Sequence, residues 1–191
     1  MPDVFDVLGT DHREVKRMLS ELESGPTKAT GATDNDLLLR KKMVEQLIIE
    51  ESRHEAVEEM YFWPAVRGTV PGGEALADAA VQQEQEGKQV LHDLDKLDAT
   101  DPEFERLVTK FIDAGREHIG YEETKVWPSL RAALSAGESS DLGGKITEAK
   151  KTAPTRPHPL TPPSPGMLKA AGPVAAAADH ARDAATGRGQ D

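Results

Sequence analysis

His54-Glu55-Ala56-Val57-Glu58-Glu59-Met60-Tyr61-Phe62-Trp63-Pro64 and His118-Ile119-Gly120-Tyr121-Glu122-Glu123-Thr124-Lys125-Val126-Trp127-Pro128 are two copies of one pattern, His-x-x-x-Glu-Glu-x-x-x-Trp-Pro. Residues four apart on a helix lie on the same face, so each copy aims one imidazole and one carboxylate at a single spot. Both tryptophans of the chain fall inside the pattern. The repeat predicts two helices that each offer a nitrogen and an oxygen ligand to a shared metal site.

Working outward, helical periodicity dominates residues 3–136 and strand-like alternation is absent. Phe5, Leu8, His12, Val15, Leu19 and Leu22 form a first stripe. The stretch 24–33 holds Gly25-Pro26 and Gly31 and reads as a loop. A second helix from about Asp34 carries Val44, Leu47, Glu51, His54, Glu58 and Tyr61 on one face. A third, from about Glu74 to Asp98, presents Leu76, Ala80, Glu84, Gly87, Leu91 and Leu94. Asp101-Pro102-Glu103 starts the fourth, which presents Phe104, Val108, Phe111, Gly115, His118, Glu122 and Lys125. Four amphipathic helices with short links predict an all-α, up-down-up-down four-helix bundle over 1–136.

From Gly137 the composition shifts. Residues 137–191 hold seven of the thirteen prolines, then an alanine-rich run, and are nearly neutral, so the bundle carries the negative charge. Such a segment buries little apolar surface and reads as a flexible tail, with one weak helix near Val174–Ala185.

The 191 residues suit one domain with an appendage, and the 37% hydrophobic, 4% aromatic content suits a helical core. With 23 basic and 34 acidic residues the formal charge is −11, which disfavours nucleic acid and anionic membranes as partners. No cysteine is present, which excludes disulfides, thiolate metal sites and cysteine nucleophiles. The start Met1-Pro2-Asp3 has no basic, apolar leader and no stretch suits a bilayer, so a cytoplasmic protein is expected.

The inward stripes carry His12, His54, Glu58, Glu84, His118 and Glu122, with Glu51, Tyr61 and Lys125 close by. An unpaired core carboxylate costs several kcal/mol unless it is protonated, paired or metal-bound. Lys125 is the only evident inward cation, which cannot neutralise four glutamates. A metal pair supplies the charge, and mixed imidazole and carboxylate donors suit iron or manganese.

The repeat extends upstream. Laying residues 11–22 over 83–94 matches Glu14, Lys16, Leu19 and Leu22 with Glu86, Lys88, Leu91 and Leu94, and puts Glu84 in the place of His12. Counting about 1.5 Å per residue from the turn near Asp98, Glu84 is almost level with His118. On the same count His92 is about 15 Å out of level and faces water. His12 and His54 come level only if the loop at 24–33 climbs or the second helix starts late.

A His, then His-x-x-x-Glu, then one third-helix ligand, then His-x-x-x-Glu resembles the hemerythrin-like (HHE cation-binding) family over residues 1–136. The Trp-Pro continuations strengthen the likeness, and Thr155-Arg156-Pro157-His158-Pro159 is similar to extensions of actinobacterial members. The resemblance implies two non-haem iron ions, oxo- or hydroxo-bridged, inside the bundle. It assigns His12 and His54 to one iron, Glu84 and His118 to the other, and Glu58 and Glu122 as bridges. Oxygen carriers of that family have two histidines where this chain has Glu84 and Lys88. A carboxylate in place of imidazole favours the ferric state, which points from oxygen carriage toward redox turnover, foremost catalase-like decomposition of hydrogen peroxide. The alternative is reversible dioxygen or nitric oxide binding, or oxygen or iron sensing, by a monomer or weak homodimer. A metal-free interaction bundle, with the tail as its docking arm, is a third reading.

For the remaining residues the sequence gives simpler expectations. Tyr61 reads as a core tyrosine or an added phenolate ligand, Glu51 as a neighbour of the ligands and Glu55 as solvated. Trp63 and Trp127 close the bundle end, and Pro64 and Pro128 kink or narrow their helices. The Lys125 amine, His158 and His180 sit in water. Gly87 and Gly115 leave room for dioxygen or peroxide.

Overall fold

The computed structural model describes residues 2–161 and 165–189. Pro162 and Pro163, part of the expected extended tail, lie outside them. Helix α1 (Val4–Ser24) is followed by a 3-10 turn at Lys28–Thr30 and by α2 (Asp34–Val57). A π-helical turn, Glu58–Phe62, joins α2 to α3 (Trp63–Thr69) in one rod. The third rod is α4 (Gly73–Asp95). The fourth is α5 (Pro102–Tyr121), a second π-helical turn at Glu122–Val126, and α6 (Trp127–Ala133). Then come α7 (Ala136–Lys150) and α8 (Pro165–Thr186). The four expected rods are present within a few residues of their expected ends, and no strand occurs among the described residues.

Local sequence explains where the rods start. Asp3 with Asp6, and Thr33 with Asp36, form reciprocal capping boxes at α1 and α2. Asp101 caps α5, with Pro102 in its first turn. Each cap is worth about 1 kcal/mol and fixes the register of the stripe that follows. α4 packs along α5, α1 along α2 and α5, and α2 on α4.

The apolar core is split in two. One cluster includes Val15, Leu19, Leu22, Leu47, Leu91, Phe104 and Phe111. The other includes Val4, Phe5, Leu8, Phe62, Trp63, Val66, Ala80 and Leu130. Along each rod the histidines and glutamates of the repeat fall between these clusters, forming a polar layer inside an oily column. Folding such a layer costs free energy unless its charges are matched, so a function is the place to look for the reason.

Two expectations are corrected here. The turns before the prolines are widened rather than narrowed. In a regular α-helix the Pro64 ring would strike the carbonyl four residues back. The chain instead opens to π geometry, with the Trp63 N–H donating to Glu58 O and the Trp127 N–H to Glu122 O. Such turns recur at functional sites, and here each begins at the glutamate of the repeat.

The segment after residue 136 is also more ordered than its composition suggests. Ser135 and Glu138 form a capping box for α7, and Ser139, Leu142, Gly143 and Ile146 are its buried face, packed on α1 and α2. That face holds only two large apolar residues, too short a stripe to stand out in sequence. A Cβ on Gly143 would lie 2.7 Å from the Asp3 backbone, so glycine lets α7 touch the start of α1. α8 begins well before the expected Val174 and contains Pro173.

Candidate metal centre

Each rod delivers its part of the polar layer. α1 brings His12; α2 and its π turn bring His54 and Glu58; α4 brings Glu84; α5 and its π turn bring His118 and Glu122. All six are buried, between 0 and 8% exposed. His12, His54, Glu58 and Glu122 bring one ligand atom each within 4.8 Å of one another, and so do Glu58, Glu84, His118 and Glu122. The two groups share Glu58 and Glu122. The His12 and His54 rings lie 5.1 Å apart, so the 3-10 turn in the loop brings them level.

The hydrogen bonding indicates what the cluster accommodates. His12 Nε2, His54 Nε2, His118 Nε2, Glu84 Oε2 and both oxygens of Glu58 and Glu122 are buried without a hydrogen-bond partner. His12 Nε2 is 3.0 Å from Glu122 Oε2 and His54 Nε2 is 3.3 Å from Glu58 Oε2, close but outside hydrogen-bonding geometry. Orphaned buried polar atoms are rare and costly, and here eight of them converge. Donor atoms that crowd together without bonding one another fit a common cation.

The other ring nitrogens are all engaged. Nδ1 of His12 donates to Glu123 Oε1 at 3.1 Å, of His54 to Asp11 Oδ2 at 3.3 Å, and of His118 to Gln83 Oε1 at 3.1 Å. An Nδ1–H fixed outward leaves the Nε2 lone pair facing the centre, the tautomer a metal requires. Lys16 braces Glu123 at 2.7 Å and Lys150 braces Asp11 at 2.5 Å. The Trp63 indole N–H donates to Glu84, and Trp127 stacks on His12 with centroids 4.7 Å apart. Each tryptophan thus serves the other half of the repeat, beyond closing a bundle end.

Charge is crowded in this layer. Burial, together with the Glu122 carboxylate, pushes the Glu58 carboxyl up to about 7. Burial likewise holds Glu84 and Glu55 well above the ordinary carboxylate range, against the pull of Lys88. Burial lowers His118, whereas at His54 the Glu58 and Asp11 carboxylates outweigh burial and raise it.

Several neighbours differ from expectation. Glu55, expected in water, is 3% exposed and faces Lys88 across a 3.9 Å ion pair. The buried cation beside the cluster is Lys88, which also pairs with Glu59; Lys125 is exposed. His158 is only half in solvent and sits 2.9 Å from Asp179. His180 and His92 are part-exposed, and Tyr61 packs half-buried against the second apolar cluster. The widened turn after Glu58 breaks the seven-residue register that would have carried Tyr61 over His54. Asp11, Gln83 and Glu123 were missed. The repeat carried a signal for Glu123: the second glutamate of each copy takes a lysine from another rod, Glu59 with Lys88 and Glu123 with Lys16.

A cavity of about 10 Å³ adjoins the Glu84 and His118 side, lined also by Glu51, Glu55, Gly87 and Gly115. That is room for about one water-sized molecule.

Comparison with known proteins agrees with this reading. The family model described as "Hemerythrin HHE cation binding domain" matches residues 3–130. An uncharacterised hemerythrin-like protein of Schizosaccharomyces pombe is 27% identical over 184 residues, covering 96% of this chain and 86% of that protein. A DNA nickase of Nostoc sp. is 23% identical over 148 residues, 78% of this chain but only 39% of the nickase. The crystal structure of a hemerythrin HHE cation-binding domain-containing protein from Mycobacterium kansasii matches with a TM-score of 0.65 at 19% identity, covering 79% of this chain and 86% of that one, which speaks for the fold. Family model, fold and His/Glu cluster lead to one conclusion: the chain belongs to the hemerythrin HHE cation-binding domain family.

Proposed function

We propose that the cluster binds two iron ions and that the protein decomposes hydrogen peroxide in a catalase-like reaction. His12 and His54 would hold one ion, Glu84 and His118 the other, with Glu58 and Glu122 shared between them. The observation that carries this reading is the convergence of eight buried, unpartnered donor atoms from four rods on two overlapping groups. When bound, such an iron pair supplies Lewis acidity and stores electrons between ferrous and ferric states. The carboxylate at Glu84 favours the ferric state and so supports turnover over oxygen carriage.

The chain's own groups do the rest. Gly87 and Gly115 line the small cavity beside Glu84 and His118, where a small oxidant would approach the ligands. Glu51, Glu55 and Gln83 present hydrogen-bonding oxygens and an amide on its wall. The apolar clusters above and below exclude bulk water from the layer. Among the described residues no helix is long and apolar enough to cross a membrane. We place the protein in the cytoplasm as a monomer or weak homodimer that meets small molecules, with no nucleic-acid partner given its −11 charge.

The test is oxygen release from hydrogen peroxide by iron-loaded protein against an equal concentration of free iron. Release well above that control, lost in Glu58→Gln, supports the reaction; release equal to the control defeats it. The small cavity also suits a diatomic gas, so the second reading is reversible dioxygen or nitric oxide capture, or sensing without turnover. It predicts a visible band that reverses when the gas is removed, with little peroxide consumed.

A further inference from the structure

Lys88 stands between two cavities. Outside it, a pocket of about 50 Å³ lies between the bundle and the C-terminal segment, lined by Ala56, Pro154, Pro157, Gly172 and Ala175 and bounded by Lys88 and Glu59. Inside it lies the smaller cavity at Glu84 and His118, with Glu55 on its wall. No residue lines both spaces, yet the Lys88 ammonium pairs with Glu59 of the outer one and lies 3.9 Å from Glu55 Oε2 of the inner one. That buried triad links the wall of one cavity to the wall of the other.

The bonding of the triad is uneven. Lys88 and Glu59 form a direct hydrogen bond, and Gln85 adds a second donor to Glu59 at 3.3 Å. Glu55 Oε2 is buried with no hydrogen-bond partner. The lysine is therefore anchored on its outer side and loosely held on its inner side. A flexible four-carbon stem can swing about the Glu59 anchor without breaking its strong contact. The counterpart lysine in the internal repeat, Lys16, makes the same kind of pair with Glu123 but has 45% of its side chain in solvent. The Lys88 side is covered by a stretch of the C-terminal segment tied down through Arg156 to Asp95 and Asp183, Thr155 to Asp183, and His158 to Asp179.

We propose that small oxidants enter from beneath the C-terminal segment, through the outer pocket, and that the Lys88 side chain is the gate to the inner cavity. This rests on the reading that the His/Glu cluster holds iron that meets such molecules. Two variants move the outcome in opposite directions. Lys88→Met keeps the stem and removes the ion pairs. Gly172→Phe fills the outer pocket from a position where an added Cβ has open space.

With ferrous iron loaded to equal content, stopped-flow capture of nitric oxide should run at least about 3-fold faster in Lys88→Met and at least about 3-fold slower in Gly172→Phe. Unchanged rates in both overturn the route. Should Lys88→Met fail to fold, Gly172→Phe decides alone. Xenon-pressurised crystals probe the route without iron. Xenon between Pro157 and Ala175 in the unmodified protein, absent in Gly172→Phe, supports it, and no xenon there overturns it. Protein that takes up no iron at all defeats the metal reading, whereas iron-replete protein with unaltered capture defeats only the gate.

Discussion

The two halves of the internal repeat bring their donor side chains into one buried layer and surround them differently. In the His12 and His54 half, both imidazoles donate to carboxylates, Glu123 and Asp11, each braced by a lysine. In the Glu84 and His118 half, the imidazole donates to the neutral Gln83 amide and the carboxylate accepts from the Trp63 indole. Carboxylate-backed imidazoles are the more basic donors, in line with His54 held up and His118 held down. The first half is braced by ion pairs, and the second adjoins the cavity. The halves share Glu58 and Glu122 and differ at His12/Glu84 and around Lys16/Lys88.

That contrast can be broken most forcefully at its shared members. Glu58→Gln should lower iron affinity by at least ~100-fold at both positions, since even outer partners of a metal site are worth 10–100-fold. Metal titration checks this. The metal-free variant should be as stable as the parent or more so, by about 1–3 kcal/mol in urea unfolding, because an unmatched buried charge is gone. A loss confined to one ion would show that the halves do not share this bridge.

Outer partners sharpen the comparison at smaller scale. Asp11→Asn should cost about 10–100-fold in affinity at the His54 position, and Gln83→Ala clearly less at the His118 position. Equal losses would erase the distinction between the halves. Gly115→Ala brings a Cβ to 3.4 Å from Leu19 and 3.6 Å from Phe111, tight but tolerable. It should leave iron content intact and slow reaction with peroxide by about 3–10-fold as the receiving cavity narrows.

The smallest effect is a pH trend. Metal-free Glu58 keeps its proton to about 7 while the unfolded chain loses it near 4.5. Over that window the folded form binds more protons, so this group lowers metal-free stability as pH rises. Iron displaces the proton and removes the penalty. The melting-temperature gap between loaded and metal-free protein should therefore widen between pH 5 and 7. A flat gap would mean that Glu58 is ionised without metal.

The rods, their order and the six converging residues were legible because each signal repeats: a 3.6-residue stripe, a four-residue His/Glu spacing, and the alignment of Glu84 with His12. Trp63 and Trp127 were legible as packing residues, while their reach across to the partner half depends on a three-dimensional crossing that sequence does not state. The π turns were hidden because Trp-Pro signals a disturbed helix without saying whether it bends or widens. Glu55 and Lys88 look like ordinary surface charges in sequence; Glu55 turns to the inner cavity, and the C-terminal segment folds back beside Lys88. That segment was misjudged for a related reason. Leu142 and Ile146 are too few to mark a helix until the groove they fill is known.

The most direct measurement is anomalous scattering at the iron absorption edge from crystals of protein purified after growth with ample iron. The account predicts two peaks, one among His12, His54, Glu58 and Glu122 and one among Glu58, Glu84, His118 and Glu122. A polar layer with no iron peak, or iron bound elsewhere on the chain, would contradict it.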